Sequence, residues 1–281
     1  MVLAKIRMFW LEYRRDRMAV FGLALVVFFA FIAILAPFIT PYDPWSFVSQ
    51  ALSPPSQKNL FGTDKLGRDV FSRVIWGTRV SFIFGLGAAT ISGLIGIILG
   101  AIPAYYGGWL DDLLSRIYEF ILVIPTIFLL ILIIAMFGSS IYFSMAVVGL
   151  TMWPYLARIM RAQVLSLKSK AYVQASIGLG ASGIRTLFKH IIPNGIQPVI
   201  ANITIQIAYA ILTEAGLSFL GLGDTTQVSW GQILYWGHLH IASAWWNTVF
   251  PGLAIALLAL GFTLIGDGIN NTLNPKMRES R

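Results

Sequence analysis

An uncharged stretch from residue 120 to residue 157 constrains this chain more than any other feature. It holds no Asp, Glu, Lys or Arg, and it is too long for one crossing, since a membrane helix needs about 20 apolar residues. Gly138-Ser-Ser140, near its middle, reads as the tip of a helical hairpin. The composition agrees: 57% of residues are hydrophobic and 11% are charged, where soluble domains carry roughly 25% charged residues. Six apolar spans can be placed, at 19–39, 81–104, 114–137, 141–157, 197–220 and 245–265. The expectation is an all-α integral membrane protein with six transmembrane helices. No soluble domain, solenoid repeat or low-complexity tract is evident. The first span is too long for a signal-peptide core and no small-x-small site follows it, so it reads as an uncleaved anchor.

Six spans put both termini on one side, and the basic residues choose the side. Lys5, Arg7, Arg14, Arg15 and Arg17 precede span one, and Arg116 lies at the start of span three. Arg158, Arg161, Lys168, Lys170, Arg185 and Lys189 follow span four, and Lys276, Arg278 and Arg281 lie in the tail. The other five, Lys58, Lys65, Arg68, Arg73 and Arg79, all follow span one. The positive-inside bias therefore places both termini and the segment after span four in the cytosol of a multi-pass cell (inner/cytoplasmic) membrane protein. The resulting parts are a cytosolic segment 1–18, a first helix 19–39 and an external loop 40–80. A five-helix core 81–269 contains a cytosolic loop 158–196, and a cytosolic tail 270–281 follows. The net charge of +8 is accounted for by topology and anionic lipid headgroups, so nucleic acid is not an expected partner. The nine tryptophans fall near span ends, as an interfacial belt should. With no cysteine, disulfides and thiolate sites are excluded.

Two soluble segments carry pattern. In the cytosolic loop, Tyr172, Ala175, Ser176 and Leu179 fall at i, i+3, i+4 and i+7, as do Ile184, Leu187, Phe188 and Ile191. Gly180-Ala-Ser-Gly183 interrupts the period and Pro193 is expected to end the second stripe. The pattern predicts two short helices at an angle, with Arg185, Lys189 and His190 on the less apolar surface. In the outer loop, Thr63 or Asp64 can cap a helix lying on the membrane surface, with Val70, Phe71, Val74 and Ile75 as its apolar edge. Asp69 and Arg73 are spaced for an i, i+4 ion pair. In span two, Ser92, Gly96 and Gly100 form a smooth face for close helix packing or sliding.

Gln174-Ala175-Ser176, then Gly180 and Pro193 thirteen residues on, resembles the glutamate-alanine-alanine loop of ABC-importer permeases. The family has Glu and Ala where this chain has Gln174 and Ser176. Further blocks resemble the C-type permeases of dipeptide and oligopeptide systems, in the family's order. They are Phe61-Gly-Thr-Asp64-Lys-Leu-Gly67-Arg68-Asp69-Val-Phe-Ser-Arg73, Tyr105-Tyr-Gly-Gly108, His190-Ile-Ile-Pro193-Asn194, Glu214-Ala-Gly-Leu-Ser218-Phe-Leu-Gly-Leu-Gly223, Ser229-Trp-Gly231, Phe250-Pro-Gly-Leu-Ala254 and Gly266-Asp267-Gly268. The resemblance implies a type I importer permease fold with cytosolic coupling helices. It implies that Tyr172, Gln174, Ala175, Ser176, Gly180, His190 and Pro193 belong to an ATPase-coupling loop, and that Asp64, Gly67, Arg68, Asp69, Arg73 and Asp267 are structural signatures. It also implies four partners: a second homologous permease, two ATPase subunits and an external solute-binding protein. ATP and Mg would sit on the ATPase subunits and no cofactor on this chain. The cargo would be peptides, with oligosaccharides or metal chelates as alternatives. At Gln174 the missing charge weakens the expectation of a charge-assisted contact to the ATPase.

Other polar residues have simple structural roles open to them. Glu214, late in span five, reads as packing or gate structure together with Ser218, or as substrate contact; an intramembrane carboxylate points to function. Arg116 and Glu119 suit a surface ion pair, and Asp267 suits a helix cap. His238-x-His240 lacks the further ligands of a metal site, so no metal is expected. No serine lies in a nucleophile elbow, and no G-x-x-x-x-G-K-[ST] loop is present, which leaves neither a hydrolase nor a motor in this chain. An ion-coupled secondary transporter is the remote alternative, supported only by Glu214.

Overall fold

The computed structural model describes residues 2–273, with side chains from residue 7 onward. The tail basic residues Lys276, Arg278 and Arg281 and the Lys5 side chain lie outside the described residues. Twelve α-helices are described: α1 (Val2–Tyr13), α2 (Arg17–Ile39), α3 (Val70–Tyr106), α4 (Trp109–Val123), α5 (Thr126–Phe137), α6 (Ile141–Lys168), α7 (Ala171–Gly178), α8 (Gly183–Thr186), α9 (Ile192–Gly195), α10 (Gln197–Leu217), α11 (Trp230–Gly237) and α12 (Trp246–Leu273). A π turn at Leu187–Ile191 joins α8 to α9, and a second at Ser218–Leu222 follows α10. The described residues contain no strand, only two single-residue bridges, Phe47 with Arg68 and Thr63 with Asp69.

Five helices, α2, α3, α6, α10 with its π turn, and α12, are long and apolar enough to cross a membrane, and α4 with α5 makes a sixth as a bent pair. The expected single span 114–137 is therefore corrected: α4 and α5 meet at 85°. Pro125 pushes Ile124 out of the helical region, to ψ 124°. The hairpin expected at Gly138 is present, with Gly138 at φ +98° between α5 and α6.

The smooth face of span two is used for packing. Gly96 lies against Leu156 and Trp153, Gly100 against Ala157, and Ser92 donates to Gln206 Oε1 at 2.8 Å. A Cβ at Gly96 would strike the Leu156 side chain, and one at Gly100 the Ala157 backbone, both on α6. A bidentate pair, Arg161 to Asp111 at 2.8 Å for both contacts, clamps α6 to α4. Asn271 donates to Asp16 at 3.3 Å, so the start of α2 and the end of α12 share one end of the bundle.

Several local expectations are corrected by these contacts. The outer-loop helix is the first two turns of α3, capped by Asp69 rather than Thr63 or Asp64. Val70, Val74 and Ile75 are buried in the protein, so that edge faces the core and not a membrane surface. Asp69 spends its carboxylate on Ser72 and Asn59, and Arg73 turns to Asp64 instead. Arg116 and Glu119 form no ion pair among the described residues. Asp267 is exposed inside a helix that continues to Leu273, and so caps nothing. Trp153, Trp230 and Trp246 are buried. Trp230 donates to Val74 O and Trp246 to Thr63 O, so these three hold the core and not a belt.

Candidate functional site

Past the end of α6 the chain leaves the bundle and builds a small lug from α7, α8, the π turn and α9. Lys168 ties its base by donating to Tyr105 O, and Gln174 Nε2 donates to Lys168 O at 2.8 Å. Gln174 thus has a structural partner inside the chain that a glutamate could not serve as donor. Gly180 makes the corner: φ is +83° and nothing lies within 4 Å of the Cβ it lacks. Gly180 N and Ala181 N donate to Ile177 O and Ser176 O, which closes the end of α7. Ser182 then caps α8.

The two stripes sort differently from each other. Of α7 only Val173 is buried; Tyr172, Ala175 and Leu179 are exposed and Ser176 is partly so. In the second stripe Leu187 and Ile191 are buried while Ile184 and Phe188 face outward. Leu187, Ile191 and Val173 pack with Leu156, Met160 and Val164 of α6. The lug is thus anchored by three apolar side chains and presents five more, Tyr172, Ile177, Leu179, Ile184 and Phe188, to the outside. Arg185 and Lys189 are exposed beside them and His190 is partly buried. Pro193 does not end the second stripe as expected. It lies in the first turn of α9, where a missing N–H costs nothing. The π turn before it makes the register wide, with Ile192 N reaching Leu187 O.

Between α6 and α10, Thr126, Thr151, Tyr155, Asn202, Gln206 and Tyr209 line a half-open cavity of about 360 Å³ together with three apolar side chains. It opens beside the break between α4 and α5. No charged residue lines it. None of these residues was singled out from the sequence. A signal existed: Asn202, Gln206 and Tyr209 are spaced i, i+4, i+7 along one face of an otherwise apolar span.

At the end opposite the lug, the 40–69 loop folds over α3 and α12. Asp64 is its organiser: it accepts from Leu66 N, Arg68 N and Arg68 Nε, the last at 2.7 Å, and lies 3.7 Å from Arg73 Nε. Gly67 provides the positive φ of +76° that closes this turn against Ser49. Glu214 is buried beside Ser218, some distance along α10 from the lug. The structure therefore brings Asp64, Gly67, Arg68, Asp69 and Arg73 together, and the lug residues together, and keeps Asp267 apart from both.

The model for binding-protein-dependent transport system inner membrane components matches residues 92–279. This chain belongs to that family. It is an integral membrane permease subunit of an ABC transport complex, with other subunits, and is not itself an enzyme. Residues 5–55 match the N-terminal transmembrane domain of oligopeptide transport permease C. The chain is similar to a dipeptide transport system permease protein of Alkalihalophilus pseudofirmus, 38% identical over 95% of this chain and 88% of that one. It is similar to an oligopeptide transport system permease protein of Bacillus subtilis, at 37% over 96% and 89%. A putative peptide transport system permease protein of Brucella abortus is 40% identical over 94% and 90%.

Proposed function

We propose that the chain is one of two permease subunits of an ATP-driven peptide importer. The observation that carries this reading is the lug: five apolar side chains are displayed beyond the apolar spans, on a rigid hinged unit. An apolar patch in that position needs a protein partner. That partner is one of two ATPase subunits, which carry ATP and Mg; Tyr172, Gln174, Ala175, Ser176, Gly180, His190 and Pro193 form the coupling loop. When the ATPases close, the lug moves as a body and swings α6 and α10, alternating access to a central path. The second homologous permease completes that path. The uncharged cavity around Asn202, Gln206 and Tyr209 suits a peptide, because amide and hydroxyl groups can hydrogen-bond a backbone whatever its side-chain charges. Glu214 and Ser218, farther along α10, belong to the gate structure in this reading. The loop built on Asp64, Gly67, Arg68, Asp69 and Arg73 seats the external solute-binding protein.

Orientation follows from the basic residues: termini and lug cytosolic, the 40–69 loop outside. Single cysteines in this cysteine-free chain test it. An impermeant thiol reagent added to intact cells should label position 66 or 239, the exposed neighbours of Asp64 and His238, and leave positions 161, 180 and 278 unlabelled; strong labelling of position 180 refutes the topology. The partner assignment is tested in liposomes. The chain alone should turn over no ATP, having no phosphate loop. With the second permease and both ATPases, hydrolysis should rise when the peptide-loaded binding protein is added. ATP turnover by the purified chain alone would overturn the reading.

A further inference from the structure

Beneath the π turn that follows α10 lies a cavity of about 10 Å³, room for a single atom the size of a water oxygen. Glu214, Asp224, Gln227 and four serines, Ser218 and Ser229 among them, supply its polar lining, and no Lys, Arg or His takes part. Glu214 is 5% exposed. Ser229 Oγ donates to Ser218 Oγ at 3.3 Å, and Ser218 Oγ donates to Glu214 Oε1 at 2.7 Å. Ser218 and Ser229 thus serve Oε1 and leave the other oxygen of the group open. Glu214 Oε2, on the same buried group, has no hydrogen-bond partner.

An ionised, half-satisfied carboxylate in apolar surroundings is not sustained without a countercharge. We propose that the cavity binds a sodium ion, with Glu214 Oε2 as its charged ligand and the serine hydroxyls and neighbouring oxygens completing the shell. Three facts select this ligand. The lining offers oxygen donors and no sulfur or imidazole, which suits a hard cation. Asp224, on the same wall, is already satisfied by Ile141 N, Thr226 N and Thr226 Oγ1 at 3.0, 2.9 and 2.6 Å. Glu214 Oε2 is therefore the open carboxylate oxygen on this wall, a single charged ligand, which suits a monovalent ion. The single-atom volume excludes ammonium groups of peptides or amines. Bound there, sodium latches the turn after α10 onto the first turn of α11, where Ser229 is the cap. This goes beyond the importer reading and does not depend on which subunits dock.

The full-length chain, purified in detergent, can be melted while its tryptophan fluorescence is followed. The buffers are NaCl, KCl, CaCl2 and choline chloride at one ionic strength. Sodium should raise the midpoint saturably, by about 5 °C at a hundredfold excess over half-saturation, with potassium and choline alike and lower. Glu214→Gln should melt identically in all four salts. Ser229→Ala, the milder change and the decisive one if Glu214→Gln does not fold, should move half-saturation about tenfold higher. Equal melting of the parent chain in sodium and choline overturns the proposal. So does a sodium response that survives in Glu214→Gln, a response specific to calcium, or a midpoint that rises only as pH falls, which would mean a proton holds the site.

Discussion

Gly180→Val is expected to abolish transport while ATP hydrolysis by the assembled importer continues. Gly180 holds φ +83° with open space where its Cβ would stand. A Cβ there meets nothing within 4 Å, so the chief effect of valine is backbone strain, roughly 1–3 kcal/mol, worst for a β-branched side chain. That is small against the burial of the spans, and the protein should still insert and assemble. It is large for a corner joining α7 to α8, because relaxing φ re-aims Tyr172, Ile177 and Leu179 relative to Ile184 and Phe188. Gly180→Asn, which tolerates this region, should keep most of the transport and serves as the control. Gln174→Glu gives up one donated bond to Lys168 O, worth about 1 kcal/mol, and should be far milder. The measurement is solute uptake per ATP hydrolysed in liposomes holding all subunits. Parent-like uptake per ATP in Gly180→Val removes the hinge role from this glycine.

Asp64→Asn is expected to be the most destabilising single-atom change at the other end of the molecule. Asparagine keeps an oxygen for Leu66 N and Arg68 N, so the turn itself retains its acceptors. It loses the charge that compensates Arg68 and Arg73, whose side chains are 10% and 3% exposed. Leaving buried guanidinium groups without an anion costs about 3–5 kcal/mol. Melting of the purified complex should fall sharply, and binding-protein-stimulated ATPase should fall with it, since this loop is its proposed seat. Combining Asp64→Asn with Arg68→Met should recover part of the loss, because the buried charge is removed with its partner. An unchanged midpoint for Asp64→Asn would show that the pair is solvated and structurally idle.

Legible in the residues alone were the membrane class, five of the six candidate spans, the hairpin at Gly138, the turn at Gly180 and the close packing at Gly96 and Gly100. These follow from local rules: the length of an apolar run, the absence of a Cβ, the pyrrolidine ring. The sequence was also enough, through its motifs, to reach the family. What it could not decide were contacts between residues far apart. Hydropathy has no means of telling a lipid-facing side chain from one facing another helix, because both environments are apolar. By sequence Trp153, Trp230 and Trp246 fit an interfacial belt, yet in the fold Trp246 reaches Thr63 and Trp230 reaches Val74. Charges at helical spacing suggested Asp69–Arg73 and Arg116–Glu119. Tertiary structure gave Asp69 to a helix cap and Arg73 to Asp64, because a buried carboxylate goes to the donors that folding brings within reach. The break at Pro125 and the polar cavity beside it were decided in the same way. Proline's local bias against helix was visible in the sequence, but the 85° bend it permits depended on α5 finding a packing surface on α6.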